Sequence, residues 1–161
     1  MNRLNRASVS RSLRAVALAM GLTACLSAQA QIRFTYSADG SEVTDAQTGL
    51  TWRRCSAGQT WSAGTCSGGL SVYTHEAALV YAASQSGWRL PNVKELRSLV
   101  DTSRVVPAID TVAFPGTASM TYWSSTPNIQ LSSSAWSVEF NLGAVSSTAR
   151  NTVVVMVRLV R

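Results

Sequence analysis

The chain has 161 residues, of which 46% are hydrophobic and 14% are charged. This composition excludes an intrinsically disordered chain and is sufficient for one domain with a sizeable core. The formal net charge of +6 would suit a polyanion binder such as a nucleic-acid-binding protein. The charge is unevenly distributed, however, because Arg3, Arg6, Arg11 and Arg14 all lie in a leader that contains no acidic residue.

Residues 1–30 have the layout of a secretory signal peptide. A basic region is followed by the apolar run from Ala15 to Leu26 and by the small-residue motif Ala28-Gln29-Ala30. The apolar run is too short to cross a bilayer as a permanent helix. Cleavage after Ala30 leaves ten basic and eight acidic residues, a net charge of +2. We therefore expect residues 31–161 to form a single exported domain, periplasmic, in the cell envelope or secreted, without a nucleic-acid partner.

The three cysteines fall into two groups. Cys25 ends the stretch Leu22-Thr23-Ala24-Cys25, which resembles a bacterial lipobox, so lipidation of Cys25 is the alternative to cleavage after Ala30. Cys55 and Cys66 lie in the exported part of the chain, where disulfides persist. A bond between them would close a short loop, worth roughly 3 kcal/mol on the chain-entropy estimate. We predict that Cys55 and Cys66 form a disulfide.

The first half of the exported chain predicts strands and one helix. Residues 32–36 alternate and predict a strand, and the runs 42–44 and 50–52 predict a hairpin. The glycine-rich stretch 55–69 is predicted to form no regular element. A helix is predicted from the N-cap Thr74 to about Ser86. Its two candidate packing sides consist of Ala77, Val80, Tyr81 and Ser84 on one side, and of Ala78 and Ala82 on the neighbouring side.

A second helix is predicted by the motif Gly87-Trp88-Arg89-Leu90-Pro91-Asn92. Pro91 disfavours helical backbone angles at Leu90, and Asn92 is a good N-cap with Glu95 three residues later to complete a capping box. The spacing predicts an amphipathic helix of two to three turns, with Val93, Leu96, Leu99 and Val100 on one face.

The remaining residues predict a loop and three strands. Residues 102–121 are predicted to form a long ordered loop anchored by Ile109, Val112 and Phe114. Strands are predicted at 122–125, at 135–142 with Leu142 inward, and at 152–160, the last as a central strand. Residues 126–134 are predicted to be a polar loop and residues 143–151 a turn. The predicted fold class is α+β, with two helices packed against a small antiparallel sheet.

These motifs resemble the Lcl C-terminal domain family of bacterial exported proteins. The resemblance covers about residues 41–161 and rests on five blocks in the family's order. It implies a C-type-lectin-like fold that is also related to the formylglycine-generating enzymes. The collagen-like adhesin that gives the family its name suggests binding of a sulfated polysaccharide. The blocks are 43–45 with 48–52, 87–92 with 95–96, 107–110 with 114–115, 122–126 and 157–161.

We expect no catalytic site, no cofactor and no metal site. Formylglycine-generating chemistry needs reactive cysteines, whereas Cys55 and Cys66 are better explained as a structural bridge. The only histidine, His75, lies in the first turn of a helix and is more often a bystander than a general base. Ser124, Ser125, Asp101 and Asp110 show no informative spacing around it. The acidic residues are scattered singly, and a calcium site needs several carboxylates.

The residues favour surface binding. Trp61 can act as an aromatic platform, and the basic residues Arg89, Lys94, Arg97 and Arg104 suit sulfate or carboxylate groups on a glycan. Trp123 and Trp136 can equally fill the core, and Lys94 and Arg97 can equally be a solvated helix face. The favoured function is a non-enzymatic, lectin-like adhesion module for an envelope polysaccharide or surface protein. The alternatives are a structural envelope protein, lipidated at Cys25, and an enzyme related to the formylglycine-generating group.

Overall fold

The computed structural model describes residues 32–152 and 154–161. The predicted signal peptide and Cys25 lie outside these residues. None of the helices in the described part of the chain is long and apolar enough to cross a membrane. The strands are β1 (Phe34–Tyr36), β2 (Glu42–Asp45), β3 (Leu50–Arg53), β4 (Thr60–Ser62), β5 (Thr65–Ser67), β6 (Thr121–Pro127), β7 (Ser134–Glu139) and β8 (Ala144–Ala149), and the helices are α1 (His75–Ser84) and α2 (Val93–Arg97).

The predicted fold class is wrong, because the described chain is mostly β-structure. Its strands form three small antiparallel sheets, with the orders β1-β2-β3, β4-β5 and β6-β7-β8. Within the part of the chain that the structure describes, helix is limited to the ten residues of α1 and the five of α2. The arrangement of two helices on one sheet, with its C-type-lectin-like fold, therefore does not describe this domain. Two segments predicted as loop or turn form strands instead, and the second helix is shorter than its apolar spacing indicates.

The first sheet confirms the predicted strand and hairpin. Val43 of β2 pairs with Trp52 of β3, and both side chains are fully buried. Asp45 ends β2 with a buried carboxylate, which accepts bonds from Arg33 at 2.9 and 3.1 Å and from the backbone N–H of Gln47 at 2.9 Å. Burial alone would raise the pKa of Asp45, but these donors outweigh it and lower that pKa. The carboxylate thus fixes the turn that follows β2.

The stretch 55–69, predicted to be irregular, contains the β4-β5 hairpin. Ala63 and Gly64 form its two-residue turn, with φ of 50° and 82°. Two consecutive positive φ angles are the geometry of a type I′ turn, whose twist matches that of paired strands. The prediction failed because alanine is an uncommon residue for the first of these positions.

Helix α1 begins as predicted, since the Thr74 hydroxyl accepts a bond from the backbone N–H of Ala77 at 3.2 Å. Its buried residues are His75, Ala78 and Ala82. The other predicted side faces outwards, with Val80 66% exposed. Because α1 is apolar on both sides, its periodicity did not identify the buried side. The alanine side is the buried one, because small side chains allow the helix to approach its neighbours closely.

Helix α2 has the predicted capping box. The Asn92 side-chain oxygen accepts a bond from the Glu95 backbone N–H at 3.0 Å, and the Glu95 carboxylate accepts one from the Asn92 backbone N–H at 2.8 Å. The helix ends at Arg97, with Ser98 as its C-cap. Leu96 and Leu99 are buried as predicted, although Leu99 follows the helix. The chain leaves the helix because Val100 pairs with Ile109.

The long loop and the third sheet follow the prediction only in part. Ile109 and Phe114 are fully buried anchors, but Val112 is 68% exposed. Strand β7 ends at Glu139, and Leu142, predicted to face inwards, is 66% exposed. The predicted turn 143–151 contains β8, which pairs with β7 along its whole length.

Residues 154–161, the C-terminal segment, do not form the predicted regular strand. The backbone is extended, but successive residues bond to different partners: Val155 pairs with Tyr73, Met156 with Tyr122, and Val160 with both Trp52 and Arg89. A regular strand would require successive residues to bond to one neighbouring strand. The segment instead joins β3, β6 and both helix entries.

The C-terminal segment separates two hydrophobic clusters. Val155, Val157 and Leu159 pack with α1 and Trp123 in one cluster. Met156 and Val160 pack with Trp52, Tyr122 and Phe114, among others, in the second. Alternate side chains of an extended segment point in opposite directions, so the packing of this segment has a period of two. It divides the segment between two clusters rather than between core and solvent.

The side chain of Arg158 points to the same side of the C-terminal segment as those of Met156 and Val160. It is fully buried. Its guanidinium donates to the backbone carbonyls of Arg53 and Arg54, to the Ser56 hydroxyl at 3.1 Å and to the Thr117 hydroxyl at 2.7 Å. The guanidinium carbon lies 4.8 Å from the centre of the Phe114 ring. Burial lowers the pKa of Arg158.

Replacing Arg158 with Met should lower the free energy of unfolding by more than about 3 kcal/mol, because two carbonyls and two hydroxyls lose a buried donor. The measurement is urea-induced unfolding of the oxidised domain. Arg104→Met is the control, since Arg104 is half exposed and its ion pair with Asp101 is worth at most about 1 kcal/mol. Equal unfolding midpoints for the two variants would contradict the role given to Arg158.

Candidate functional site

Trp61 is the predicted site residue whose position is most strongly fixed. It lies on β4 opposite Cys66 of β5. Its indole N–H donates to the carbonyl oxygen of Asp39 at 2.9 Å. The guanidinium carbon of Arg54 lies 4.0 Å from the centre of its ring. The half-buried indole is therefore held in one orientation, as a preorganised binding surface requires.

Arg54 is itself held by the backbone. Its guanidinium donates to the carbonyl oxygens of Gly40 and Val112, both at 2.7 Å, and of Ala113 at 2.9 Å. It also stacks on Tyr36, with 4.5 Å from guanidinium carbon to ring centre. Three carbonyl acceptors fix the plane of the guanidinium, and that plane in turn supports Trp61.

The predicted disulfide between Cys55 and Cys66 is confirmed. The two Cα atoms are 5.3 Å apart, and the bond links the chain just after β3 to β5. Most of the hairpin is exposed, with Cys66 its only buried residue. A two-stranded hairpin with so little core is marginally stable in water. We infer that the disulfide keeps the hairpin, and with it Trp61, beside the first sheet.

A groove of about 360 Å³ lies between the hairpin and the first sheet. Its size is within the range of small-molecule sites, roughly 300–1,000 Å³. It combines an indole, a guanidinium, a carboxylate, an amide and two hydroxyls, which together can stack on a sugar ring and bond to its hydroxyl groups. We call it the Trp61 groove; it is lined by Ser41, Glu42, Arg53, Cys55, Gln59, Thr60 and Trp61.

Arg53 extends the basic surface of this groove towards Trp88. The guanidinium carbons of Arg53 and Arg161 lie 5.0 and 4.7 Å from the centre of the Trp88 ring. Arg53 donates to the Gln85 side chain at 3.2 Å, and Arg161 donates to the Glu42 carboxylate at 2.6 Å. Sequence reasoning missed Arg53, Arg54 and Arg161, because only the tertiary fold brings them to Trp61 and Trp88.

The predicted basic residues do not line the Trp61 groove. Arg89 forms a two-pronged ion pair with Glu95, at 2.7 and 2.8 Å, which lowers the pKa of Glu95. Lys94 and Arg97 lie on the exposed side of α2. Arg104 pairs with Asp101 at 2.9 Å. The structure thus places Trp61 in one groove and distributes the four cations along α2 and its flanking segments.

Of the two tryptophans for which the core was the alternative interpretation, Trp123 fills the core and Trp136 is only partly buried. Trp123 is fully buried and donates its indole N–H to the Tyr73 carbonyl at 2.9 Å. Trp136 is half-buried on β7. The loop after β6, part of the predicted polar loop, is anchored by Asn128, whose side-chain amide donates to Ser147 at 2.8 Å. Its Ile129 is 92% exposed.

The side chains of His75, Ser124, Asp101 and Asp110 bond to separate groups. His75 Nε2 lies 3.0 Å from the backbone carbonyl oxygen of Ser124, and the Ser124 hydroxyl donates to the Trp136 carbonyl. Asp101 and Asp110 accept bonds from their own loops. Within residues 32–152 and 154–161, no cluster of three or more His, Cys, Asp or Glu side chains is placed to hold a metal ion.

These features define a small, β-rich, disulfide-stabilised domain with an aromatic and basic surface groove. The family model described as the Lcl C-terminal domain matches residues 41–161, and the chain belongs to that family. No curated protein and no solved structure matches the chain.

Reduction of the disulfide should lower the free energy of unfolding by roughly 2–4 kcal/mol, because the reduced chain regains loop entropy when it unfolds. Urea unfolding with and without dithiothreitol measures this difference. The Cys55→Ser/Cys66→Ser variant is the control, and it should match the reduced wild type in both conditions. Amide exchange at residues 60–67 should also become faster. A reduced chain that is as stable as the oxidised one would contradict the role of the bond.

The stability of the domain should fall as the pH drops from about 7 to 5. Burial, together with the nearby positive charge of Arg150, lowers the pKa of His75 below its ordinary 6.5. The unfolded chain therefore binds a proton more readily than the folded one, and stability is lost below the unfolded pKa.

The His75→Gln variant isolates this effect, because His75 is the only histidine and glutamine can still donate to the Ser124 carbonyl without titrating. We expect its stability to stay constant across this pH interval, whatever its absolute value. Urea unfolding at three pH values measures both proteins. Parallel pH profiles of variant and wild type would contradict the assignment.

Proposed function

We propose that this chain is a non-enzymatic, exported binding module that recognises a polysaccharide at the cell envelope through the Trp61 groove. Sulfated or otherwise acidic glycans are the ligand class that suits its charges, because two cations, Arg53 in the lining and Arg161 bonded to Glu42, outnumber the one carboxylate of Glu42. Adhesion to such a polymer is the biological role that we propose. A single observation carries the proposal. Trp61, which Arg54 and Asp39 hold in one orientation, lines a groove together with the guanidinium of Arg53 and several hydrogen-bonding groups.

The geometry supports binding more than catalysis. Trp61 is held by Asp39 and Arg54, and Arg54 by three carbonyls. Such a surface loses little conformational entropy when a ligand binds. Arg53 and Glu42, which are paired neighbours on the first sheet, can bond to different hydroxyls of one sugar ring, and the Trp61 ring on the hairpin can stack on its apolar face.

The proposed export rests on residues 1–30 and on the cysteine chemistry. The signal-peptide layout and the lipobox-like stretch at Cys25 both direct the chain out of the cytoplasm. The Cys55–Cys66 bond suits an oxidising compartment, since cytosolic thiols are kept reduced. We propose a periplasmic, envelope or secreted location, with a lipid anchor if Cys25 is modified.

A formylglycine-generating activity is disfavoured by the same bond. That chemistry requires a free, reactive thiolate, and Cys55 and Cys66 are joined to each other. We therefore propose that the domain is not an enzyme.

Replacing Trp61 or Arg53 with Ala should weaken glycan binding by about tenfold or more, because each removes a large group that lines the groove. The measurement is binding to a panel of sulfated and neutral polysaccharides, with heparin and dextran as the first pair. Trp136→Ala is the matched control, since Trp136 is also half-buried but lies on β7.

The exposed cations provide a second comparison. Combined replacement of Lys94, Arg97 and Arg104 with Ala should reduce binding only at low ionic strength, where long-range attraction is not screened. A loss of binding that persists at physiological salt would transfer the site to α2. Binding that is unchanged by Trp61→Ala, or absent throughout the panel, would contradict the proposal.

A further inference from the structure

A second groove, of about 510 Å³, lies between α1 and the entry to α2. Helix α1 forms its apolar wall through Leu79 and Ala83. The opposite wall is polar and contains Arg89, Asn92, Glu95 and Ser125. Trp88 lies in the same lining, and we call this the Trp88 groove. Its aromatic ring, guanidinium, amide and hydroxyl repeat most of the chemical groups of the Trp61 groove.

The two grooves are adjacent, because a single stacked pair separates them. Arg53 lines the Trp61 groove, and its guanidinium carbon lies 5.0 Å from the centre of the Trp88 ring. Trp88 in turn lines the second groove. A ligand that leaves the Trp61 groove past Arg53 therefore reaches Trp88 directly.

The side chains of the Trp88 groove are already held in place. Arg89 is fixed by two bonds to Glu95, and Glu95 is fixed by the Asn92 backbone N–H. The side-chain oxygen of Asn92 accepts from Glu95, which leaves its amide N–H groups to donate. These contacts come from the capping box, so the geometry of the helix entry also sets the geometry of the groove.

Two neighbouring grooves with similar groups suit a ligand that repeats along its length. We propose that the Trp88 groove is a second subsite for the same glycan, so that the domain binds internal stretches of a polymer rather than a chain end. This inference rests on the proposed function of the Trp61 groove. It assigns to Trp88, Arg89 and Asn92 a role in binding the unit next to the one on Trp61.

Chain length provides the test. Size-fractionated heparin oligosaccharides, from disaccharide to octasaccharide, are titrated calorimetrically against the oxidised domain. Occupation of two linked subsites makes the second contact intramolecular. We expect the affinity to rise by about tenfold or more between disaccharide and octasaccharide, beyond the statistical gain from additional binding registers.

Ala83→Trp is the informative variant, because Ala83 is exposed on α1 and lines the Trp88 groove, which the larger ring is expected to fill. It should reduce octasaccharide affinity to nearly that of the disaccharide and leave disaccharide affinity unchanged. Val80→Trp, on the outward side of α1 and absent from the lining of the Trp88 groove, is the matched control and should leave both affinities unchanged.

The outcomes separate the two proposals. Length-independent affinity, or an octasaccharide affinity that Ala83→Trp leaves intact, overturns the second subsite. If Trp61→Ala still weakens binding by about tenfold or more, the Trp61 groove stands. Loss of binding in Ala83→Trp for every length, with Trp61→Ala unaffected, instead makes the Trp88 groove the primary site and overturns both assignments. Failure of every oligosaccharide to bind also overturns both.

Discussion

The guanidinium of Arg158 is a buried positive charge that neutral oxygens surround. An isolated buried charge is costly unless every donor finds an acceptor. Four oxygens meet this need: the carbonyls of Arg53 and Arg54 and the hydroxyls of Ser56 and Thr117. Its Nε–H has no partner among the described residues, so the match is incomplete. Because the acceptors come from the end of β3 and from the loop before β6, one side chain fixes how these parts meet.

The geometry of the Trp61 groove depends on these contacts of Arg158. The carbonyls that bind Arg158 belong to the two residues whose own side chains reach Trp88 and Trp61. A shift of the backbone at the end of β3 would therefore move the guanidiniums of Arg53 and Arg54 together, and with them the chain towards the disulfide. The hydrophobic clusters on either side of the C-terminal segment resist such a shift, since close-packed interiors transmit strain rather than absorb it. Stability and the shape of the binding surface thus depend on the same contacts.

Features that depend on residues close in sequence could be predicted, whereas contacts between distant residues could not. The caps at Thr74 and Asn92, the first hairpin and the Cys55–Cys66 bond depend on residues close in sequence, and all are found in the structure. The β-branched run at the end of the chain was misread, because strand propensity cannot show that its hydrogen bonds go to several partners. Trp61 was recognised as a candidate. Arg53 and Arg54 were not, since their roles depend on Trp88 and on carbonyls nearly 60 residues away, 58 for Val112 and 59 for Ala113.

The position of the C-terminal segment also determines when the domain can fold. Val155, Met156, Val157, Leu159 and Val160 fill both clusters, and ribosomes make them after every strand that they join. Until these residues emerge, Trp52, Tyr122 and Trp123 have no complete packing environment, and the nascent chain has no closed interior. Folding must therefore await the synthesis of this stretch. Folding is also slowed by contacts that span more than a hundred residues, such as the one between Arg158 and Arg53.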